Sequence, residues 1–207
     1  MRVDQVKPNM VRVKDDSGGY PKMILDPFEK EAALLEGAAR SVDWEREIAV
    51  QLMVRCGFRA DEVSYPSRDH LRWSSSGECW LIEVRGKNTK GGGPKTRDAW
   101  VPEAVAENIQ RFVSERDRDG SEPIVSVSTG SVRRWVKEAA AQLVDGHGDR
   151  WEHVSSHDLR RSWATFHIVE RGVDVRTMMS IGGWSDYSAI EPYLGEATEA
   201  KIGRSMR

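Results

Sequence analysis

A histidine and an arginine that could bind a phosphate group lie three residues apart in this sequence. His157 and Arg160 follow Ser156, and in a helix their spacing places the imidazole and the guanidinium on one face, one turn apart. The N-terminus of a helix favours anions, and an arginine can donate two parallel hydrogen bonds to a phosphate. An exposed polar helix face capped by serine would show the same residues. The pair alone therefore indicates an anion site without establishing one.

Two further segments could supply the rest of a phosphate-processing site. Arg59 comes soon after Gly57, which is expected to end a helix, and Glu62 three residues later could hold the guanidinium in a fixed pose. The alternative is an exposed salt bridge without function. Tyr193 lies nine residues after Trp184. A phenol titrates at about pH 10, so a tyrosine is a useful nucleophile only beside cations. The alternative is that Tyr193 is a half-buried packing residue without a catalytic role.

The segment 85–97 contains basic residues and no acidic residue. It connects two predicted strands, and the run Gly-Gly-Gly-Pro near its tip predicts a flexible loop. Positive charge on a β-hairpin suits the phosphate backbone of a nucleic acid, although a solvated loop would have the same composition. The basic residues are Arg85, Lys87, Lys90, Lys95 and Arg97.

The hydrophobic periodicity predicts the frame that must position these residues. Asp26 and Pro27 are typical of a helix start, with Asp26 as the N-cap, and a second helix is expected over 44–56. Three short β-rich runs predict one small antiparallel sheet, and helical patterns return after it. The runs lie at 71–73, 79–84 and 99–101, and the later helices at 103–118, 129–143, 156–171, 173–181 and 188–195. The predicted fold class is α+β, mainly α-helical with one small three-stranded antiparallel sheet.

The combination of these segments resembles the catalytic domain of the tyrosine recombinase (phage-type integrase) family. Four stretches carry the likeness: CGFRADEV, VRGKNTK, SHDLRRSWAT and IGGWSDYSAIEPYL. The 36 residues from His157 to Tyr193 and the nine from Trp184 to Tyr193 fit the family's arrangement. Trp184 stands where most members have histidine and some have tryptophan. The likeness extends from Asp26 to the C-terminus.

The resemblance implies a role for each candidate residue. Two arginines would bind the scissile phosphate, with His157 and Trp184 as hydrogen-bonding groups, while Tyr193 attacks the phosphorus and Lys87 protonates the leaving 5′-hydroxyl. The implied catalytic residues are Arg59, Lys87, His157, Arg160, Trp184 and Tyr193. The implied DNA-binding residues are Arg85, Lys90, Lys95, Arg97 and Arg161. Lys90 and Lys95 remain alternatives to Lys87, and Tyr187 is the rival of Tyr193.

The activity implied is site-specific DNA recombination, by integration or excision, through a covalent 3′-phosphotyrosine. A phosphotyrosine ester conserves the energy of the broken phosphodiester, so no ATP, metal or other cofactor is expected. Two other functions stay open: relaxation of DNA by a type IB topoisomerase-like reaction, and DNA binding without cutting. The expected partner is double-stranded DNA, bound by a protein that is a monomer alone and a tetramer on paired DNA sites.

Composition and charge restrict the class of protein. The chain has 207 residues, with 31 Lys or Arg against 33 Asp or Glu and a net charge of −2, which excludes a histone-like basic protein. Hydrophobic residues at 39% and charged residues at 31% fit a packed domain rather than a disordered chain. The longest apolar stretch, 48–54, is too short to span a bilayer, and the first residues do not resemble a secretory signal. Cys56 and Cys79 have no metal-ligand spacing. We expect a cytoplasmic, DNA-associated protein without a metal site.

Three parts of the chain are expected to differ in role. Residues 1–25 are expected to be an arm or linker, 26–195 the catalytic domain, and 196–207 a C-terminal tail that docks on a neighbouring subunit or frays as a basic end. Family members normally carry a helical domain before the catalytic domain, which clasps the other face of the DNA. We therefore expect this chain to be a catalytic fragment rather than a minimal recombinase.

Overall fold

The structure is a computed structural model that describes residues 22–86 and 96–194. Its strands are β1 (Leu71–Ser74), β2 (Cys79–Arg85) and β3 (Thr96–Val101). Its α-helices are α1 (Phe28–Arg40), α2 (Trp44–Val54), α3 (Glu103–Glu115), α4 (Thr129–Ala141), α5 (Val144–His147), α6 (Ser156–Thr165) and α7 (Val175–Gly182). Short 3₁₀ turns lie at Arg68–His70, Asp149–His153, Tyr187–Ala189 and Glu191–Tyr193. The predicted fold class is confirmed.

The first helix begins one residue later than the N-cap prediction required. Pro27, not Asp26, is the N-cap residue of α1, because its backbone is extended and its carbonyl already accepts the Glu31 N–H at 3.1 Å. The Asp26 N–H donates instead to the Glu31 carboxylate at 2.8 Å. The assignment of Asp26 as N-cap was therefore wrong, although the helix itself is where the pattern predicted it.

The chain joins the core before α1 begins. Met23 and Leu25 are buried, and their N–H groups donate to Asp158 and to the Ser162 hydroxyl on α6, at 3.2 and 2.9 Å. Part of the segment that was expected to be an arm thus packs against the helix that carries His157 and Arg160.

The sheet has the strand order β1-β2-β3, and both pairs are antiparallel. Leu71, Ile82 and Ala99 are aligned across the three strands and are buried against the helices. In the second pair Val84 lies opposite Arg97, so the base of the basic hairpin is part of the regular ladder. The hairpin tip, with Lys87, Lys90 and Lys95, lies outside the described residues.

Helix α6 runs through the centre of the described domain. All of its residues from 158 to 165 are buried, although most of them are polar or charged. Buried charge is tolerated only when it is paired, and Asp158 is both the capping-box partner of Ser155 and the ion-pair partner of Arg161. The local fold therefore holds α6 rigidly, with its N-terminus at the site described below.

The C-terminal part is more broken than the periodicity predicted. The helix expected over 156–171 ends as α6 at Thr165 and continues as a π-helical turn, Phe166–Glu170. The helix expected over 188–195 is replaced by two 3₁₀ turns within the described residues, because Pro192 has no N–H to continue an α-helical ladder. None of the described helices is long and apolar enough to cross a membrane.

Candidate active site

Arg160 is the most deeply buried charged group of the site, with only 1% of its surface exposed. One guanidinium nitrogen donates to the Gly57 carbonyl, and the other, Nη2, donates to the Gly182 carbonyl at 2.6 Å. The guanidinium carbon lies 4.1 Å from the centre of the Trp184 ring. Burial, together with the positive charge of Arg59, lowers the pKa of Arg160 to about 9, so the group is still a cation at neutral pH.

Two glycines make this arrangement possible. Gly57 follows α2 with φ of +72°, a conformation that favours glycine, and a Cβ atom there would overlap the Trp163 ring. Gly182 ends α7, and a Cβ atom at that position would overlap the Trp184 ring. The two tryptophans stack, with ring centres 6.2 Å apart and planes 16° apart. Aromatic rings thus pack closely against the same two backbone turns whose carbonyls hold the arginine.

Glu62 lies at the centre of a cluster of three arginines. Its Oε1 accepts from Arg59 Nη1 at 2.7 Å and from Arg97 Nη1 at 2.9 Å, and its Oε2 accepts from the Arg59 backbone N–H and from Arg97 Nη2. Arg160 Nη1 is 4.0 Å away. Glu62 is 2% exposed. Burial by itself would raise the pKa of Glu62, but the hydrogen bonds and charge of Arg97 and the charge of Arg160 lower it on balance.

The burial of Glu62 distinguishes the Arg59–Glu62 pair from a fully exposed salt bridge. An exposed salt bridge without function would leave both side chains in water, whereas Glu62 is enclosed and only Arg59 keeps a third of its side chain exposed. Arg59 Nη2 also donates to the Gly183 carbonyl at 3.2 Å. Its guanidinium is therefore held in a fixed pose between the Glu62 segment and the end of α7.

Tyr193 and His157 meet at the other side of this cluster. The Tyr193 hydroxyl oxygen lies 3.4 Å from His157 Nε2, and the Tyr193 ring lies 5.5 Å from the Trp184 ring. Burial, followed by the charge of Arg161, lowers the pKa of His157, so the imidazole is neutral at pH 7. A neutral imidazole has one nitrogen that can accept a proton.

The two tyrosines near the C-terminus differ in environment. Tyr193 is buried in the second 3₁₀ turn, beside His157 and Trp184, whereas Tyr187 is 55% exposed in the first turn. The structure thus places Tyr193, and not its rival, among the other candidate catalytic residues.

The predicted DNA-binding residues do not share one environment. Arg85 is exposed, with its guanidinium 5.9 Å from the centre of the Tyr65 ring. Arg161 is buried and paired with Asp158, and Arg97 is partly buried and paired with Glu62. Lys87, Lys90 and Lys95 lie outside the described residues. Among the predicted DNA-binding residues that lie in the described part of the chain, only Arg85 is exposed.

A cleft of about 530 Å³ opens beside His157. Basic side chains from three parts of the chain line it, namely Lys22, Lys137 on α4 and Arg161 on α6, together with the carboxylates of Glu152 and Asp158. Lys137 donates to the Glu152 carbonyl at 3.1 Å. The cleft therefore has charges of both signs next to His157.

Sequence reasoning missed the groups that hold Arg160. The carbonyls of Gly57 and Gly182 carry no residue-type signal, and Gly57 was interpreted only as the end of a helix. Trp163 lies three residues after Arg160, on the same helical face, and this spacing could have indicated that it packs beneath the site.

The chain matches known proteins over most of its length. The model of the "Phage integrase family" matches residues 25–199. "Tyrosine recombinase XerA" of Thermococcus onnurineus (strain NA1) is 30% identical over 143 residues, which is 69% of this chain and 48% of the relative. XerA of Pyrococcus furiosus (strain ATCC 43587 / DSM 3638 / JCM 8422 / Vc1) is 24% identical over 147 residues, or 70% of this chain and 48% of the relative. The chain spans about half the length of the curated relatives it matches.

Solved structures share the fold. A crystal structure of XerA recombinase matches with a TM-score of 0.66 at 22% identity, covering 92% of this chain and 65% of that one. The Tn1549 transposon integrase, in complex with transposon right end DNA, matches with a TM-score of 0.69 at 17% identity, covering 93% of this chain and 67% of that one.

Proposed function

This chain belongs to the phage integrase family, and we propose on that premise that it cuts and rejoins double-stranded DNA at specific sites through a covalent bond to Tyr193. The observation that carries the proposal is the 3.4 Å approach of the Tyr193 hydroxyl to the neutral imidazole of His157, beside the buried guanidinium of Arg160. Tyrosine attack needs a proton acceptor and nearby cations, and this arrangement supplies both.

The reaction conserves atoms and charge without an added reagent. The Tyr193 oxygen attacks the phosphorus and passes its proton to His157 Nε2, while the bond from phosphorus to the 5′-oxygen breaks. The products are a 3′-phosphotyrosine and a 5′-hydroxyl, and the proton on that hydroxyl comes from Lys87, the proposed general acid of the hairpin. Attack of a 5′-hydroxyl on the phosphotyrosine reverses every step and rejoins a strand.

The arginine cluster stabilises the transition state of this transfer. Negative charge on the non-bridging oxygens increases as the tyrosine oxygen approaches, and fixed donors that face such charge lower the barrier. Arg59 and Arg160 are the proposed phosphate ligands. Glu62 orients Arg59, and glycine carbonyls orient Arg160, so each guanidinium has a fixed pose.

The proposed partner is double-stranded DNA, and the proposed setting is a mobile genetic element. Two relatives are named tyrosine recombinases and one structural neighbour is a transposon integrase bound to DNA. We further propose that the protein acts in the cytoplasm as a tetramer on paired DNA sites. Residues 26–195 would be its catalytic domain, and residues 196–207 would dock on a neighbouring subunit of the tetramer.

Covalent capture tests the function even though the target site is unidentified. A library of duplexes with randomised sequence around a fixed nick is incubated with the chain, and adducts are isolated on denaturing gels and sequenced. The nick lets the short cleaved product diffuse away, so the adduct accumulates. The wild type should form an adduct, Tyr193→Phe should form none, and Tyr187→Phe, the matched control, should behave like the wild type.

Each other outcome contradicts part of the proposal. Capture of no duplex by the wild type would contradict DNA cleavage, and an adduct with Tyr193→Phe would contradict the nucleophile. If the captured sequences share no motif and supercoiled plasmid is relaxed, the activity is that of a topoisomerase rather than a site-specific recombinase.

A further inference from the structure

We propose that Arg97 is a positioning residue of the cleavage reaction. Arg97 shares the Glu62 carboxylate with Arg59, and it thereby sets the pose of the phosphate-binding arginines and the net charge of their cluster. The inference rests on the proposed function. It replaces the expectation that Arg97 contacts DNA from the basic hairpin.

All three guanidinium nitrogens of Arg97 donate to protein acceptors. Nη1 and Nη2 donate to the two Glu62 oxygens at 2.9 and 3.0 Å, and Nε donates to the Ile181 carbonyl at 2.9 Å. The side chain is only 12% exposed. Gly183 packs against its aliphatic part, where a Cβ atom would lie 2.7 Å from Arg97 Cδ. A contact from Arg97 to a DNA backbone would have to compete with these three hydrogen bonds, which already hold the guanidinium against the protein.

The hydrogen bonds of Arg97 fix the orientation of Glu62. A bidentate arginine holds both carboxylate oxygens in one plane, and a lysine cannot reproduce this geometry. The same two oxygens receive Arg59, one from its Nη1 and one from its backbone N–H, both at 2.7 Å. The pose of the Arg59 guanidinium therefore depends on a carboxylate whose own pose depends on Arg97.

Arg97 also sets the charge of the cluster. Three guanidinium groups around one ionised carboxylate leave a net charge of +2, and without Arg97 the carboxylate would leave only +1 for Arg59 and Arg160 together. The charge of Arg97 reaches the inner arginine, because it contributes to the lowered pKa of Arg160. A largely enclosed cation next to the two proposed phosphate ligands strengthens the field at the phosphate, since little water screens it.

The same side chain connects the hairpin to the rest of the site. Arg97 lies on β3, two residues after the undescribed segment that includes Lys87, and its Nε bond reaches the end of α7, from which Trp184 follows. The strand leading back from the lysine hairpin is thereby fixed to the Arg59 segment and to the tryptophan turn at once.

Single-turnover cleavage of a duplex recovered by the covalent capture tests the role of Arg97. Wild type, Arg97→Gln, Arg97→Lys and Arg72→Gln are compared at saturating DNA. Arg72 is the matched control, because it belongs to the same sheet and forms an exposed ion pair with Asp98. We expect Arg97→Gln to slow cleavage by about 10–100-fold, as a misplaced transition-state contact does. Arg97→Lys should recover part of the rate, and Arg72→Gln should match the wild type.

A neutral substrate separates positioning from a merely structural role. In a methylphosphonate at the scissile position, a methyl group replaces one charged oxygen, so the arginine cluster has less charge to stabilise. The loss caused by Arg97→Gln should shrink by about tenfold on this substrate. The affinity for DNA and its salt dependence should stay at the wild-type values, measured with Tyr193→Phe in each background to prevent cleavage.

The outcomes distinguish this inference from the proposed function. If the wild type captures no DNA, both fail. If the wild type cuts and Arg97→Gln cuts equally fast, or loses the same factor on both substrates, only the role of Arg97 is contradicted. A weaker salt dependence of DNA binding in Arg97→Gln would show that Arg97 is a DNA contact after all. Thermal melting checks that each variant is folded. If Arg97→Gln is not folded, the same two substrates are compared with Arg97→Lys.

Discussion

Two consecutive residues of β3 form arginine–carboxylate pairs on opposite faces of the sheet. Arg97 donates to Glu62 at 2.9 and 3.0 Å inside the domain, whereas Asp98 accepts from Arg72 at 2.7 Å at its surface. The outer pair is about half exposed, with side chains 53% and 46% accessible. The distances are nearly the same, but water screens the outer charges and scarcely reaches the inner ones. Burial, rather than bond length, decides which pair can influence a reaction.

The burial of the inner carboxylate has a further consequence. Three cations converge on Glu62, so its charge is needed to keep them together, whereas Asp98 faces one arginine that water would solvate equally well. Removing one partner of a buried cluster leaves uncompensated charge, while removing one partner of a surface pair leaves a solvated group. Matched substitutions at the two sites should therefore differ in size.

The largest effect is expected from Glu62→Gln. The variant keeps the size of the side chain but removes the negative charge that Arg59 and Arg97 share, so the free energy of unfolding should fall by about 3–5 kcal/mol. Urea denaturation followed by circular dichroism measures the change. A loss no greater than that of Asp98→Asn would show that the inner cluster is no more dependent on its carboxylate than the surface pair.

An intermediate effect is expected on the pH dependence of cleavage. Burial and the charge of Arg161 lower the pKa of His157 below its ordinary value of 6.5. The imidazole should therefore stay neutral, and able to accept the tyrosine proton, at pH values somewhat below 6.5. Arg161→Gln removes a charge that disfavours protonation and should raise the pKa of His157. The acidic limb of the single-turnover rate, measured at saturating DNA, should then move to higher pH.

Arg72→Gln is the control for this pH profile, since the exposed arginine lies on the sheet and should leave the acidic limb where it is in the wild type. A limb that moves to lower pH in Arg161→Gln, or does not move, would contradict the assignment of the limb to His157.

The smallest effect is expected from Asp98→Asn. The pair with Arg72 is half exposed, and such pairs contribute less than about 1 kcal/mol. The free energy of unfolding, measured in urea, should differ from that of the wild type by less than about 1 kcal/mol. The cleavage rate should not change. A slower cleavage rate in Asp98→Asn would show that β3 transmits changes from its outer face to the site, so that the two faces are not independent.

Local patterns predicted most of the elements but not every boundary. The sheet, α2, α3 and α4 lie where periodicity and turn residues placed them, because each presents one apolar face with its own period. The segment expected to be one helix over 156–171 is helical to Glu170 but changes from α to π geometry after Thr165, and two 3₁₀ turns replace the helix expected over 188–195. A hydrophobic pattern does not distinguish these helix types.

The candidate residues could be found from the sequence, whereas their division into exposed and buried groups could not. Arg85 and Arg97 are both arginines at the base of one hairpin, and composition assigned both to DNA. The pairing of Val84 with Arg97 turns Arg97 towards Glu62, a contact between residues 35 positions apart. A side chain's face in a sheet depends on register, because a slip of one residue moves each side chain to the other face.

The sequence by itself determined the family, the mainly helical fold with one small sheet, and the positions of the candidate tyrosine and histidine and of the two arginines proposed to bind the phosphate. The elements follow from hydrophobic patterns with the helix and strand periods, which act over a few residues, whereas the family and the candidate residues follow from the resemblance of the four motif segments. Only the tertiary structure decided that three arginines surround Glu62, that glycine carbonyls hold Arg160, and that Arg97 donates to Glu62. Those properties depend on which distant segments of the chain pack together and exclude water. Charges interact more strongly where water is excluded, because the local dielectric constant is lower.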